Sequence, residues 1–349
     1  MRRSESLLPI ITILGLTCLA AVGHFVLDDA FISLRYAESL AAGEGLVYNS
    51  GEWVEGYTNF LWTLWLALPF LLGLDPIVFA HASTLACFAG CLWLTYRLAS
   101  RILDQPHLGW VAMVLTGTNF TFLAYGTSGL ETELQALLVL YAATLALEGP
   151  RTSGRAAWLS VIFALSLMTR LDSGIAVALL GGYALIQAAR AKAPVSRYVA
   201  LMLPGALCVG AWLTWKVLTY GDIFPNTFYA KVSGTATASQ GLGFLWLFIL
   251  SYGLFLWPVA GLVALRKLHR AGAVGVLALL VLVWSGYVVT VGGDFMEFRF
   301  MVPVLPVMMI VVTWLAYRLF RPRWLSMALC ATVVLGSLAH ALLFKTTAG

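Results

Sequence analysis

The sequence has few charged residues, with 16 Asp and Glu and 21 Lys and Arg spread over 349 positions. Hydrophobic residues make up 61% of the chain, and the mean hydropathy is +0.89. A chain this apolar cannot present a water-compatible surface, which excludes a soluble globular protein. The net charge of +5 comes from small basic groups between apolar segments, a pattern that indicates membrane topology and not nucleic-acid binding.

The sequence also lacks disulfide and metal-site patterns. Its five cysteines lie inside apolar runs and form no CxxC pair, which favours packing roles. Its five histidines are scattered, without the spacing of a zinc site, and favour packing or interface roles. We therefore expect no metal site and no cofactor.

Long apolar runs dominate the chain instead. Crossing about 30 Å of hydrocarbon takes about 20 helical residues. This criterion predicts an all-α, polytopic integral membrane protein with eleven spans, at 7–27, 77–96, 108–125, 131–148, 156–170, 174–190, 198–218, 242–265, 271–291, 300–318 and 324–344. The first run has no small-residue cleavage pattern after it, so we predict an uncleaved span and not a signal peptide.

The distribution of charge predicts the orientation of these spans. With a cytoplasmic N-terminus, most Lys and Arg fall inside and most acids fall outside. The apolar segment 59–74 is short and contains Pro69, and counting it as a span would invert every later loop. We therefore predict an interfacial or re-entrant helix there.

The predicted organisation is a single transmembrane domain over residues 1–349, with no soluble C-terminal domain. Its first extracytoplasmic loop, residues 28–76, is predicted to contain juxtamembrane helices. Residues 30–42 can form a surface helix with Arg35, Glu38 and Ser39 on its polar arc. An aspartate is a preferred N-cap, so one of Asp28 and Asp29 is expected to start this helix.

Polar residues gather in six segments that the topology places outside the membrane. They are 28-DDAFISLRYA, 52-EWVEGYTN, 126-GTSGLETE, 169-TRLDSG, 221-GDIFPNTFYAKV and 292-GGDFMEFRF. Each segment begins or ends a span, so we predict that they converge on one cavity. Such a set suits transfer of a lipid-linked phospho-sugar, which needs a carboxylate base, cations for the leaving phosphate, and aromatic and amide groups for the sugar.

Several of these residues also have structural interpretations. Arg170 and Asp172 can form a local salt bridge, Glu55 and Tyr57 can belong to a hydrophilic loop, and Asn226 can be a turn residue. Lys231 and Arg299 lie outside against the positive-inside trend, as expected for cations that meet an anionic leaving group.

With these motifs, the chain resembles the GT-C membrane glycosyltransferases that use polyprenyl-phosphate sugars. The similarity is strongest to the bacterial branch that includes the mycobacterial terminal arabinofuranosyltransferase, and it extends from Asp28 to about Pro306. The resemblance implies that Asp28 is the catalytic carboxylate, with Asp29 beside it. The candidate substrate-binding residues are Arg35, Tyr36, Glu55, Tyr57, Glu131, Arg170, Asp172, Asn226, Tyr229, Lys231, Asp294 and Arg299.

The resemblance also implies the reaction and its place. It predicts transfer of a sugar, arabinofuranose, from a polyprenyl phosphate to an extracytoplasmic glycan or protein acceptor, at the outer face of a bacterial plasma membrane. One alternative is a GT-C enzyme with a hexose donor such as polyprenyl-phospho-mannose. Another is a transporter or lipid flippase, although transporters usually have paired halves and ionisable residues in mid-membrane.

The predicted topology can be tested by cysteine-accessibility labelling of intact cells. A cysteine introduced at Ser233 should react with a membrane-impermeant maleimide, whereas one at Ser153 should react only after permeabilisation. Labelling of the Ser153 position from outside would show that residues 59–74 cross the membrane.

Overall fold

A computed structural model describes residues 4–23, 25–226, 229, 238–256, 272–319 and 323–347. These residues form helices and loops without a β-strand, so the predicted all-α fold is confirmed. The α-helices are α1 (Ser4–Val22), α2 (Asp28–Ala41), α3 (Phe60–Leu72), α4 (Pro76–Ile102), α5 (Pro106–Gly117), α6 (Phe120–Tyr125), α7 (Thr132–Glu148), α8 (Ser153–Thr169), α9 (Gly174–Arg190), α10 (Val195–Tyr220), α11 (Ala238–Ser251), α12 (Ala273–Thr290), α13 (Leu305–Leu319) and α14 (Arg323–Thr347). Short 3-10 helices occupy Leu171–Ser173, Leu254–Leu256 and Arg299–Val304.

Many of these helices are apolar enough for a bilayer. In the part of the chain that is described, six are long and apolar enough to cross a membrane, namely Pro76–Ile102, Leu171–Arg190, Val195–Tyr220, Ala273–Thr290, Arg299–Arg318 and Arg323–Phe344. Shorter apolar helices lie at Leu7–Val22, Phe60–Leu72, Ser153–Thr169 and Ala238–Ser251. The chain is therefore a multi-pass membrane protein, but the predicted count of eleven spans is not confirmed.

One predicted span is interrupted. Residues 108–125 were expected to form a continuous helix, whereas α5 ends at Gly117 and α6 begins at Phe120. The side chain of Asn119 accepts a hydrogen bond from the Phe122 N–H at 3.2 Å and so caps a new helix. Residues 257–265 of the predicted span 242–265 lie outside the described residues.

The chain folds into two compact units. The first comprises Met1–Gly23, Leu85–Gly126 and Thr237–Gly349, and the second comprises His24–Thr84 and Thr127–Ala236. Helix α4 contributes residues to both units. Most of the predicted site residues belong to the second unit.

The core of the second unit forms where α2 packs on α3. Leu34 of α2 and Trp62 and Leu66 of α3 are buried there. The Trp62 indole N–H also donates to the Gly129 carbonyl at 3.0 Å, so the cluster is tied to the segment before α7. Elsewhere in this unit α8 packs against both α7 and α10.

Helix α2 corresponds to the predicted surface helix, but one residue that was predicted to lie on its polar arc is buried. Arg35 and Glu38 are exposed as expected, but Ser39 is buried. The chain turns back after α2, and the Glu44 N–H donates to the Ser39 carbonyl at 3.0 Å. Ser39 thus lies next to the turn, and it is buried at a position that a helical wheel alone assigns to solvent.

The first unit has α13 at its centre. This helix packs against α5, α12 and α14, and residues such as Val307, Met309 and Ile310 are completely buried. Close burial of an apolar helix on all sides is expected for a span surrounded by other spans.

The contact between α8 and α10 provides a test of the fold. The Gly205 N–H donates to Ser160 Oγ at 2.9 Å, and a Cβ at Gly205 would lie 2.4 Å from the Ser160 carbonyl oxygen. Gly205→Ala should therefore separate the helices at a cost of about 1–3 kcal/mol. Gly210→Ala in the same helix is the control, since nothing lies within 4 Å of its Cβ position. Thermal unfolding in detergent should show a lower midpoint for the first variant only, and equal midpoints would contradict the packing.

Candidate active site

Tyr36 fixes the loop that follows α2. The Tyr36 side chain is buried, and its hydroxyl donates to the Val54 carbonyl at 2.7 Å while accepting from the Gly56 N–H at 2.8 Å. The residue between these two contacts is Glu55. One phenol oxygen therefore holds the backbone on both sides of a candidate site residue.

Glu55 forms a buried ion pair with Lys216. Lys216 Nζ lies 3.0 Å from Glu55 Oε2, and the two side chains are 1% and 6% exposed. Burial raises the pKa of Glu55, and the Lys216 ammonium offsets part of this effect. The Lys216 ammonium also lies 5.5 Å from the centre of the Trp212 ring.

Aromatic side chains surround this ion pair. Tyr57 packs edge-on against Tyr36 with ring centres 4.8 Å apart, and its hydroxyl lies 3.2 Å from that of Tyr220. Tyr220 in turn donates to the Leu46 carbonyl at 2.7 Å. Burial raises the pKa of Tyr57 far above its ordinary value, so this phenol stays neutral. The loop after α2 is thereby fastened to the end of α10.

A second buried group of charges is centred on Arg170. Its Nη1 lies 2.8 Å from Glu131 Oε1, and its Nη2 lies 2.9 Å from Asp172 Oδ2. The Glu131 carboxylate also accepts from Asn59 Nδ2 at 2.8 Å, and Asp172 accepts from Gln135 Nε2 at 2.6 Å. These contacts connect the loop before α3 with the ends of α7 and α8. The Arg170 guanidinium thus contacts two carboxylates from different segments, an arrangement that is suited to holding the fold.

Asp28 and Asp29 begin α2, but neither is its N-cap. The N-cap is Leu27, which makes no side-chain capping bond, and both aspartates lie in the first helical turn. The capping prediction is therefore wrong by one residue, because the Leu27 backbone already has the extended conformation of a cap. A carboxylate in the first turn still interacts favourably with the helix dipole. Asp28 is exposed and Asp29 is partly buried.

Arg35 lies on the exposed face of α2. Its Nη1 lies 2.9 Å from Glu38 Oε2, and its Nε donates to the Tyr48 carbonyl at 3.0 Å. It is thus held at the surface by the loop that Tyr36 fixes from the buried side.

The segment after α10 approaches the same loop. The Asn226 N–H donates to the Glu55 carbonyl at 3.1 Å. Tyr229 is exposed, and its hydroxyl donates to Asp222 Oδ2 at 2.9 Å. The backbone N–H of Phe224 and this tyrosine hydroxyl lower the pKa of Asp222. The predicted cation Lys231 lies outside the described residues.

Asp294 and Arg299 belong to the first unit. Asp294 accepts from the Phe295 N–H at 2.8 Å, and Arg299 is buried with Nη1 3.2 Å from Met296 Sδ. The predicted convergence of all six outer segments stays a prediction.

Sequence reasoning missed a polar cluster in the same segment of the first unit. Glu297 Oε1 lies 2.8 Å from His340 Nε2 and accepts from Thr121 Oγ1 at 2.8 Å, with the Tyr252 hydroxyl 3.4 Å away. His340 was assigned a packing role, and its ring does lie within 5.6 Å of the Phe120 ring, centre to centre. The signal that could have identified this cluster was the carboxylate of Glu297, which lies in the segment 292-GGDFMEFRF.

Lys216 and Tyr220 are the other residues that sequence reasoning missed. Both fall at the end of a long apolar run, where a single lysine is easily absorbed into a predicted span. The signal was present nonetheless, because an ionisable residue within such a run is costly and is retained for a reason.

An apolar groove opens beside the Glu55–Lys216 pair. Its volume is about 740 Å³, and its walls come from the α2 loop, α3 and α10, with Leu46, Trp53, Phe60, Trp215 and Leu218 among the lining residues. The half-exposed Trp53 ring lies over Gly45, where a Cβ would come within 2.5 Å of it and φ is +88°. The size and apolar walls suit part of a lipid chain.

Comparisons with known proteins agree with the sequence motifs. The chain is 29% identical over 247 residues to the terminal beta-(1->2)-arabinofuranosyltransferase of Mycobacterium tuberculosis, covering 63% of this chain and 37% of that protein. It is 28% identical over 322 residues to the protein of the same name from Corynebacterium glutamicum, covering 79% of this chain and 46% of that protein. The chain thus spans less than half the length of these relatives. No family model matches it.

Solved structures show the same fold. The crystal structure of ArnT from Cupriavidus metallidurans bound to undecaprenyl phosphate matches with a TM-score of 0.63 and 14% identity, over 93% of this chain and 62% of that one. The apo structure matches with a TM-score of 0.62 and 13% identity, over 91% and 60% of the two chains. The predicted resemblance and the GT-C membrane fold are confirmed.

The Arg170 group leads to a stability prediction. Arg170→Met would remove the cation that contacts the buried carboxylates of Glu131 and Asp172, at a cost of about 3–5 kcal/mol. Arg155→Met, which removes the cation of the more exposed Glu148 pair, should cost less than about 1 kcal/mol. Comparable unfolding midpoints for the two variants would contradict the structural role of Arg170.

Proposed function

We propose that this chain is a glycosyltransferase of the GT-C type that moves arabinofuranose from a polyprenyl phosphate to an acceptor outside the membrane. The observation that carries the proposal is the sequence similarity to two terminal arabinofuranosyltransferases, reinforced by a fold shared with a protein crystallised with undecaprenyl phosphate. The site lies at the extracytoplasmic face of a bacterial plasma membrane, with the N-terminus in the cytoplasm. The acceptor is a glycan or a protein.

Asp28 is the proposed general base. It is exposed at the start of α2, where an acceptor hydroxyl can approach it from solvent. As the acceptor oxygen bonds to the anomeric carbon of the donor sugar, Asp28 takes the hydroxyl proton. The bond between that carbon and the phosphate oxygen breaks, and polyprenyl phosphate leaves as the anion. The donor carries its own leaving group, so the proposed reaction uses no separate cofactor, and we propose that it also uses no metal ion.

The loop after α2 supports the proposed site. Tyr36 bonds to the backbone on both sides of Glu55, and the Asn226 N–H donates to the Glu55 carbonyl. Tyr57, two residues further on, is bonded to Tyr220 of α10. Preorganised polar groups of this kind contribute to catalysis because they need no rearrangement during reaction. The apolar groove beside the loop is the proposed entry of the donor chain from the bilayer.

Replacing Asp28 by Asn tests the proposed base. The amide keeps the size of the side chain but cannot accept the proton, and a positioned base is worth about 10²–10⁴ in rate. With a synthetic farnesyl phospho-arabinofuranose as donor, we expect the activation barrier to rise by more than about 2 kcal/mol, so that turnover slows strongly. Donor binding should stay within a few-fold of wild type. Asp29→Asn should have a smaller effect.

Glu44→Gln is the control for loss of a nearby negative charge. Glu44 lies in the same loop, is exposed, and has no proposed role in the site. Full activity of the Asp28→Asn, Asp29→Asn double variant would refute the mechanism.

A further inference from the structure

Lys216 is a buried charged side chain in α10, a long and mostly apolar helix. Its sequence neighbours in α10 are Trp215 and Val217, and its side chain is 1% exposed. Removing an ammonium and a carboxylate from water costs several kcal/mol per ion, and well-packed apolar residues would often be as stable. The Glu55–Lys216 pair therefore needs an explanation other than stability.

The surroundings of Glu55 are well defined. The titratable groups that face it are Lys216 and Tyr220 of α10, Tyr36 of α2, Tyr57 of its own loop, and Asp222 after α10. Lys216 is the cation among them and Asp222 adds a second negative charge. Without Lys216, the Glu55 carboxylate would be buried beside another acid.

The apolar groove runs along the same turn of α10. Trp215, Leu218 and Thr219 line the groove, and Lys216 lies between the first two in sequence. Its ammonium is carried on a flexible four-carbon stem. Tyr220, which faces Glu55, donates to the carbonyl of Leu46 in the groove wall, so the ion pair and the groove approach each other at this end of α10. Lys216 is itself buried, and the exchange proposed below requires its stem to turn toward the groove, where it would meet the head group of an anionic lipid.

We propose that the phosphodiester of the lipid-linked sugar donor displaces Glu55 as the ionic partner of Lys216, and that Glu55 takes up one proton in the exchange. This inference rests on the proposed function. Before binding, the site holds an ammonium and a carboxylate. Afterwards it holds an ammonium, the phosphodiester anion and a neutral carboxylic acid, with the proton supplied by solvent, so charge balances.

Electrostatics explains why Glu55 would take up a proton during the exchange. Once Lys216 turns away, nothing on the described side chains around Glu55 compensates its charge, and Asp222 opposes it. Burial already raises the pKa of Glu55 in the free protein, and loss of the ammonium would raise it further. Linkage then requires that donor affinity decrease as pH rises, by up to about tenfold per pH unit for one proton.

Calorimetry measures this proton directly. Farnesyl phospho-arabinofuranose is a suitable probe, because a phosphodiester does not titrate near neutral pH. It would be titrated into the full chain in phosphatidylcholine nanodiscs, which supply no anionic lipid, in buffers of different ionisation enthalpy. We expect wild type to take up protons when the donor binds, up to about one per donor, in the pH range where Glu55 is ionised in the free protein.

Three variants separate the parts of the exchange. Glu55→Gln should bind the donor at least as tightly as wild type, with proton uptake near zero and little dependence on pH. Lys216→Met should lose at least about tenfold in affinity, and Lys216→Arg should recover most of it. If Lys216→Met does not fold, the Glu55→Gln measurement still decides the question.

Glu148→Gln is the matched control. It neutralises the acid of another Glu–cation pair in the second unit, at the far end of α7 from Glu131. Its proton uptake and affinity should equal those of wild type.

The outcomes distinguish this inference from the proposed function. Donor binding and transfer without proton uptake, or equal uptake in wild type and Glu55→Gln, would overturn the exchange and leave the transferase proposal intact. Failure of wild type to bind the donor or transfer its sugar would overturn both.

Discussion

Charge balance away from water is the constraint on which the second unit depends. Arg170 between Glu131 and Asp172 joins the loop before α3 to the ends of α7 and α8. Lys216 beside Glu55 joins the loop after α2 to the end of α10. In both places one buried cation joins segments that are distant in sequence. Removing either cation would take away the charged partner of a buried carboxylate, which is costly.

The Arg170 group and the Glu55–Lys216 pair differ in whether a competing anion can exchange with one of their members. Arg170 contacts two carboxylates from different segments at once, which suits a permanent connection. The Glu55–Lys216 pair is neutral and lies beside a groove, so a competing anion can change its partner. The same physical interaction thus serves as a fixed connection in one place and is suited to ligand exchange in the other.

Local patterns predicted much of this arrangement. The acids at the start of α2 and its exposed Arg35 followed from motifs and the charge distribution, which also selected Glu55 and Tyr57 as candidate site residues. Ser39 was assigned to solvent because helical periodicity does not show which tertiary contacts bury a residue of the polar arc. The interruption at Asn119 was hidden because the residues on both sides are apolar enough for a span.

Contacts between distant residues could not be predicted. Tyr57 meets Tyr220 across 163 positions, and no local pattern connects them. Lys216 was overlooked because a hydropathy window averages a single charge with its apolar neighbours. The role of a residue that joins two segments depends on its partner, and the partner is known only once the fold is known.

The Tyr36 hydroxyl has a consequence for how this protein can diversify. It fixes the backbone at Val54 and Gly56 through a side chain, so the register of Glu55 is independent of the number of residues in the preceding turn. The exposed tip of the loop, residues 48–53, can therefore change in length or composition while the buried acid keeps its position. Such a division would let related chains adapt to different acceptors without rebuilding the charged interior.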